Sequence, residues 1–239
     1  MKRVLVTGGG TGIGLAIAHA FHDAQYAVTI AGRRAEALKT AAEGRDIATR
    51  ICDVTDEASV AALFETPFDI VIANAGSGKA VTVADTSLDD WQATLAVNLT
   101  GTFLTFRAAL EGMSHGGRLI AIASIASLKG GRNIAAYAAA KHGVLGLVRS
   151  LALEVAKDGV TCNAICPGFV NTDMAETAIS GVMKRLDVDR DRAEKIVVSG
   201  NPMGRLIDPE EVAATALWLA SPAASSVNGH ALSVSGGEI

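Results

Sequence analysis

The chain has 239 residues and a formal net charge of −4 at pH 7. That length suffices for one large α/β domain or two small ones. The acidic balance lacks the basic surface expected of a nucleic-acid-binding protein, and no apolar run is long enough to span a bilayer. The first residues lead straight into a strand-like segment without a secretory leader, so we expect a cytoplasmic protein with no membrane partner.

The first predicted strand leads into a glycine-rich turn. Residues 3–7 are β-rich, Gly8-Gly-Gly-Thr-Gly-Ile-Gly14 follows, and helical periodicity begins at Leu15. Strand, glycine turn and helix in this order are typical of a dinucleotide-binding turn, in which the helix N-terminus faces the phosphates. The residues predicted to line the phosphates are Gly8, Gly10, Thr11, Gly12, Ile13 and Gly14.

The end of the second predicted strand, residues 27–31, bears on the choice of cofactor. In dinucleotide-binding folds an acid at this point holds the ribose 2′-hydroxyl of NAD, whereas an arginine accommodates the 2′-phosphate of NADP. Here Gly32 stands in place of the acid, and Arg33 and Arg34 follow. The pattern favours NADP, while NAD stays open if the arginines only form a solvated basic turn.

Strand and helix patterns alternate through the rest of the chain. Strands are predicted at 47–52, 68–73, 118–123, 160–166 and 231–234, and helices at 57–64, 87–113, 136–157 and 209–220. Residues 172–202 are helical in character but richer in charge, and we interpret them as an inserted substrate lid. Without repeats or linkers, the alternation predicts one α/β domain over 1–239, a doubly wound parallel sheet with helices on both faces.

Tyr137 and Lys141 are the strongest candidates for catalysis. Their spacing of four puts both side chains on one face of a helix, one turn apart. A free tyrosine has a pKa of about 10, and a neighbouring ammonium favours the phenolate and lowers that pKa. Ser124 follows the predicted strand 118–123, where its hydroxyl can donate to a substrate oxygen while Tyr137 exchanges a proton with it. The Tyr-x-x-x-Lys pattern alone is frequent by chance, so the prediction depends on the rest of the chain.

Other polar residues follow the predicted strands. Asp53-Val54 closes the third strand, and Asn74-Ala75-Gly76 lies where the fourth strand reaches the carboxyl edge, the edge at which open α/β sheets bind ligands. Asn98 falls inside a predicted helix among apolar neighbours, so it is either buried and hydrogen-bonded or functional. The three cysteines, an odd number, fit no disulfide framework and have no pattern of metal ligands, which agrees with a reducing compartment and predicts no metal site.

The combination of these motifs resembles the short-chain dehydrogenase/reductase family over essentially the whole chain. The motifs are Thr7-Gly8-xxx-Gly12-Ile-Gly14, Asp53-Val54, Asn74-Ala75-Gly76, Asn98, Ser124, Tyr137-xxx-Lys141 and Pro167-Gly168. The resemblance implies a seven-stranded Rossmann sheet and a catalytic tetrad of Asn98, Ser124, Tyr137 and Lys141. Ala73, Ala123 and Ala140 depart from the usual pattern, but none of these changes removes a reactive group.

The resemblance also implies a role for each motif. Tyr137 is the general acid and base, Lys141 lowers its pKa and holds the nicotinamide ribose, Ser124 polarises the carbonyl, and Asn98 orders a water relay. The cofactor is expected along Asn74, Ala75 and Gly76, its adenine by Asp53 and Val54, and its carboxamide near Pro167, Gly168, Val170 and Thr172.

The favoured function is NADPH-dependent reduction of a ketone or a 3-oxoacyl thioester. The alternatives are an NAD-dependent secondary alcohol or hydroxyacyl dehydrogenase and a cofactor-sensing protein without turnover. The substrate pocket is predicted to be apolar, with Ile125, Leu128, Ile134, Met174, Ile179 and Met183. The helices at 87–113 and 136–157 carry small and apolar residues on more than one face, and related enzymes pair these helices, so we expect a homotetramer or at least a dimer.

Overall fold

Seven parallel strands form one sheet in the computed structural model, which describes residues 1–239. The strand order is β3-β2-β1-β4-β5-β6-β7, and every neighbouring pair is parallel. The strands are β1 (Arg3–Thr7), β2 (Ala27–Gly32), β3 (Ile47–Ile51), β4 (Ile70–Ala73), β5 (Arg118–Ile122), β6 (Thr161–Pro167) and β7 (Ala231–Val234). The predicted doubly wound sheet is confirmed, and the order reverses between β1 and β4, where such folds bind ligands.

Nine α-helices connect the strands or extend from them. They are α1 (Gly12–Asp23), α2 (Ala35–Ala42), α3 (Glu57–Ala61), α4 (Leu88–Leu95), α5 (Gly101–Leu110), α6 (Ala135–Val155), α7 (Asp173–Leu186), α8 (Arg190–Val197) and α9 (Pro209–Ala220). Asp56 caps α3 by accepting from the backbone of Ala58 and Ser59. No helix is both long enough and apolar enough to cross a membrane.

The single helix predicted over 87–113 is wrong in one respect. Ser87 does cap its start, accepting from the Asp90 amide at 3.0 Å. However, a π-helical turn at Ala96–Thr100 separates α4 from α5. Such turns insert one residue into a helix and are frequent at functional sites. Here the extra residue widens the turn that contains Asn98.

The alternation of side chains along the strands gives the sheet two apolar faces. Leu5, Val71 and Leu119 belong to one buried cluster, which also contains side chains of α5 and α6. The next residue along each strand points to the opposite face, so Val6 and Ile120 belong to a second cluster that also contains side chains of α1 and α9. The α7–α8 segment has a small cluster of its own, consisting of Ala175, Ile179, Val182, Ala193, Val198 and Leu206. The sheet is therefore covered on both faces, and polar groups that must meet a ligand are left at the strand ends.

Candidate active site

Ser124, Tyr137 and Lys141 meet where β5 ends and α6 begins. Ser124 lies two residues beyond β5, and its hydroxyl accepts from the Ala126 amide at 3.0 Å. Lys141 lies one helical turn after Tyr137, and its Nζ is 5.7 Å from the centroid of the tyrosine ring. The Lys141 ammonium is buried and donates to the Ile122 carbonyl at 2.8 Å. The backbone at the end of β5 thus fixes the lysine that stands behind the tyrosine.

The structure reverses one expectation about Tyr137. The spacing of four predicts that Lys141 lowers the tyrosine pKa. Instead, burial raises the pKa of Tyr137, and the Ser124 hydroxyl opposes this effect only in part. Loss of hydration destabilises the phenolate form of Tyr137. The Lys141 ammonium, which is bonded to the Ile122 carbonyl, does not offset this effect. Burial also lowers the pKa of Lys141 to about 8, so this residue is mostly charged at neutral pH.

Asn98 is buried beneath the loop that follows β4. Its Nδ2 donates to the carbonyls of Ser77 at 2.7 Å and Thr94 at 2.9 Å, and its Oδ1 accepts from the Ser77 amide at 3.3 Å. An added Cβ at Gly76 would lie 2.8 Å from Asn98 Oδ1 and 3.5 Å from Lys141 Nζ. The π-helical turn and the absence of a side chain at Gly76 therefore bring the loop, Asn98 and Lys141 together.

The glycine-rich turn is held against the end of β4. The Asn74 amide donates to Thr7 Oγ1 at 3.1 Å, and its side chain donates to the carbonyls of Thr7 at 3.0 Å and Gly8 at 3.1 Å. Gly8 has the left-handed φ of +66°, and an added Cβ at Gly14 would collide with the Gly8 carbonyl. Only glycines allow this tight turn.

The N-terminus of α1 opens toward the same edge of the sheet. Thr11 precedes the helix but makes no side-chain cap, so the amides of the first turn, including those of Gly12 and Ile13, have no side-chain acceptor. Amides and dipole at a helix N-terminus bind phosphate oxygens. Gly10 packs against Ala37 near the start of α2, and a Cβ added to Gly10 would lie 3.3 Å from the Ala37 carbonyl carbon. The turn has the shape and the donors that a pyrophosphate requires.

The predicted adenosine end lies at the ends of β2 and β3. Arg34 Nη2 donates to Thr11 Oγ1 at 3.2 Å, which directs this exposed side chain toward the glycine-rich turn. Hydrogen bonds from the backbone and hydroxyl of Thr55 lower the pKa of Asp53, with a smaller effect from the Arg33 charge. Arg33, Arg34 and Asp53 thus lie at the adjacent ends of β2 and β3, with Arg34 directed toward the glycine-rich turn.

Two of the predicted cofactor residues turn their side chains away from the cleft. The Val54 side chain is buried against Gly101, and Val170 is buried in the cluster that contains α1 and α9. Only their backbone can contact a ligand. The Ile207 amide donates to the Phe169 carbonyl and the Asn171 amide donates to the Ile207 carbonyl, both at 2.9 Å, which holds the segment after Pro167 and Gly168 in place.

Thr172 reaches across the cleft to the glycine-rich turn. It precedes α7, its hydroxyl donates to the Val170 carbonyl at 3.1 Å, and its methyl group would lie 3.1 Å from a Cβ at Gly12. The first residue of the proposed lid therefore lies beside the predicted phosphate site.

The predicted apolar pocket needs a correction. Ile179 is fully buried inside the α7–α8 segment, and Met183 packs against the same cluster, so neither residue faces the cleft. The helical spacing of Ile179 and Met183 therefore places them in or against the apolar core of the α7–α8 segment and does not indicate a substrate pocket. Met174 lies on the other side of α7 and is half exposed.

The structure adds two residues that the sequence did not indicate. The Ile122 carbonyl binds Lys141, and Gly78 lies against Tyr137, where an added Cβ would be 2.9 Å from the ring. A main-chain acceptor and a loop glycine have no sequence signal of their own, because both act through contacts with distant residues.

Comparisons with known proteins agree with this geometry. Residues 8–238 match a family model described as Enoyl-(Acyl carrier protein) reductase. The chain is 34% identical to D-beta-hydroxybutyrate dehydrogenase of Cupriavidus necator, over 99% of this chain and 97% of the relative. It is 35% identical to 3-oxoacyl-acyl-carrier-protein reductase FabG of Vibrio harveyi, over 99% and 96%.

A solved structure is also similar over almost the whole fold. It is a variant of actinorhodin polyketide ketoreductase with NADPH, superimposing with a TM-score of 0.92 at 34% identity, and the match covers 99% of this chain and 97% of that one. Its agreement with the sheet, the site geometry and the curated relatives leads to one assignment. The chain is an oxidoreductase that belongs to the short-chain dehydrogenase/reductase family.

Proposed function

We propose that the protein is an NADPH-dependent reductase of a ketone or a 3-oxoacyl thioester. The observation that carries the proposal is the meeting of Ser124, Tyr137 and Lys141 opposite Gly76 at the carboxyl edge of the sheet. The 3-oxoacyl reductase and the polyketide ketoreductase among the similar proteins support this substrate class, and the NADPH in the solved ketoreductase supports the cofactor.

The residues present fit a nicotinamide dinucleotide. The glycine-rich turn and the uncapped amides of α1 would hold the pyrophosphate, and Lys141 would hold the nicotinamide ribose. Arg33 and Arg34 would meet a 2′-phosphate, because Gly32 offers no carboxylate to repel it. When bound, the cofactor supplies the hydride that reduces the carbonyl carbon.

The protein's own side chains act on the carbonyl oxygen. As the carbon is reduced, negative charge develops on this oxygen, and hydrogen bonds from Ser124 and Tyr137 stabilise it. Tyr137 then transfers its phenolic proton to the oxygen. The raised pKa of Tyr137 keeps this proton in place at neutral pH, which suits an acid in the reductive direction. Asn98 holds the loop that positions Gly76 against Lys141.

The oxidative direction is the second candidate. D-beta-hydroxybutyrate dehydrogenase is as similar to this chain as the solved ketoreductase, and its name states oxidation of a hydroxy acid. In an NAD-dependent dehydrogenase, Arg33 and Arg34 would have no 2′-phosphate to bind and would face solvent. The absence of an acid at Gly32 favours the reductase.

The test combines a substrate panel with one substitution. Purified protein is assayed with simple ketones, an acetoacetyl thioester and 3-hydroxybutyrate, each with both cofactors. We expect thioester or ketone reduction with NADPH to have the highest kcat/KM. Tyr137→Phe is expected to lower kcat by about 10²-fold or more while NADPH binding is retained, because general acid catalysis contributes about 10²–10⁴-fold. Oxidation of 3-hydroxybutyrate with NAD as the best reaction would reject the reductase.

A homotetramer located in the cytoplasm completes the proposal. On α5 and α6, Phe103 and Leu153 are 41% and 81% exposed, and a Cβ at Gly146 would meet no atom within 4 Å. Helix faces of this composition suit pairing with a second copy. Cys52, Cys162 and Cys166 are free and buried, which fits a reducing compartment. Light scattering at micromolar concentration tests the assembly, and a monomeric mass would contradict it.

A further inference from the structure

Three segments that border the catalytic residues meet at one carboxylate. The first is the loop after Ser124, which includes Lys129. The second is the stretch after β6, which includes Gly168, and the third is the C-terminal end of the segment that contains α7 and α8. We call residues 172–202 the lid segment. Glu238 Oε1 accepts from Lys129 Nζ at 2.9 Å. A Cβ at Gly200 would lie 2.6 Å from the same oxygen, and a Cβ at Gly168 would lie 3.7 Å from Glu238 Oε2.

The burial of Glu238 distinguishes this ion pair from the others. Its side chain is only 10% exposed, whereas the carboxylates of all other ion pairs are 32% exposed or more. The Lys129 side chain is 43% exposed. A buried carboxylate needs its cation, because removing one partner leaves an uncompensated charge. Isolated exposed pairs are worth little, whereas the loss of this more buried pair should be measurable.

The backbone of residues 235–239 is shaped to deliver this carboxylate. Gly236 and Gly237 both have left-handed φ values, +63° and +92°. A Cβ at Gly236 would collide with the Asn201 side chain, and one at Gly237 would lie 3.5 Å from Pro202. Asn201 is itself buried and bonds to the backbone of Met203 and Arg205. The tail therefore folds closely onto the C-terminal end of the lid segment.

We propose that Glu238 is a positioning residue that joins the loop after Ser124 to the C-terminal end of the lid segment, and that it thereby sets the width of the substrate cleft. The inference rests on the proposed reductase function for its kinetic readout. Glu238 does not touch the reacting atoms, and it acts through its hydrogen bond with Lys129 and its close packing against Gly200. Neither Lys129 nor Gly200 is among the residues predicted to bind the cofactor, so the effect should fall on the substrate and not on the cofactor.

The kinetic test uses Glu238→Gln and the exchanged pair Lys129→Glu with Glu238→Lys. Reduction of an acetoacetyl thioester of N-acetylcysteamine is followed with NADPH. We expect Glu238→Gln to raise KM for the thioester about fivefold, equivalent to about 1 kcal/mol at 1.4 kcal/mol per decade. KM for NADPH should stay unchanged, and the exchanged pair should recover most of the loss. Glu57→Gln, which removes the carboxylate of the exposed pair with Arg107, is the matched control and should behave as the wild type.

A second readout does not depend on activity. The lid segment contains Lys184 and Arg185, and trypsin cleavage at these residues follows the population of open forms. Glu238→Gln should be cleaved there faster than the wild type and Glu57→Gln at the wild-type rate. If the wild type reduces no substrate, the proposed function fails and the cleavage rates still test the positioning role. Unchanged thioester KM and cleavage in Glu238→Gln would overturn the inference, as would an equal loss of NADPH affinity.

Discussion

Replacing Gly76 by alanine should separate the loop after β4 from Asn98 and Lys141. The added Cβ would lie 2.8 Å from Asn98 Oδ1, closer than real Cβ atoms approach a neighbour. Asn98 cannot give way freely, because it is fully buried and bonded to Ser77 and Thr94. A buried polar group that loses its partner costs about 1–3 kcal/mol.

Both stability and turnover should respond. Taking about 2 kcal/mol for the Ser77 contacts of Asn98, we expect the Tm of Gly76→Ala to fall by about 4–8 °C, at about 2–4 °C per kcal/mol for a chain of this size. The same Cβ would also lie 3.5 Å from Lys141 Nζ. Since small displacements of catalytic groups can cost about 10²-fold, kcat/KM for the ketone should fall about 10- to 100-fold. Differential scanning fluorimetry and NADPH oxidation kinetics measure the two effects.

Gly181→Ala is the matched control. Gly181 lies within α7, and a Cβ there would meet no atom within 4 Å. Alanine is favoured over glycine inside a helix by about 1 kcal/mol, so this variant should be slightly more stable with unchanged kcat/KM. If Gly76→Ala kept the Tm and kcat/KM of the wild type, the close contact between the loop and Asn98 would not exist in solution, and the derivation would be refuted.

Three further predictions concern the cofactor, the pH profile and the loop beside the tyrosine. The wild type should prefer NADPH over NADH by about tenfold or more in kcat/KM, as expected for one charged hydrogen bond of about 1.5–3 kcal/mol. The double variant Gly32→Asp with Arg33→Ile should reverse the preference. Equal kcat/KM values with the two cofactors for the wild type would show that the arginines do not contact the 2′-phosphate. Because the pKa of Lys141 is lowered to about 8, its ammonium is present below that pH and lost above it. The rate of reduction, measured from pH 6 to 10, should therefore decline through about pH 8. A constant rate up to pH 10 would exclude a role for this charge. Gly78→Ala would place a Cβ 2.9 Å from the Tyr137 ring and should lower kcat without changing the affinity for NADPH in fluorescence titration; an unchanged kcat would show that the loop moves away from the tyrosine.

The sequence alone predicted the fold because its evidence is local. Apolar runs, their alternation with helical periods and the glycines at 8–14 are visible within short windows, and together they specify a parallel sheet with a tight glycine-rich turn after its first strand. The spacing of Tyr137 and Lys141 likewise determined that they share a helix face. For the same reason the uninterrupted helix over 87–113 was wrong, because nothing within that window shows that Asn98 bonds to Ser77 in the loop after β4.

Only the tertiary structure decided the electrostatics and the boundaries of the cleft. The Tyr137 pKa is raised because burial removes water from the phenol, and the loop at Gly78, far from Tyr137 in sequence, packs against its ring. The apolar spacing at Ile179 looked like a pocket, yet its partner Ala193 comes from the next helix. Glu238 and Lys129 are separated by 109 positions and touch only because the sheet order returns the last strand beside β6. Residue types and short periods are encoded locally, whereas burial and charge pairing depend on which remote segments the fold brings together.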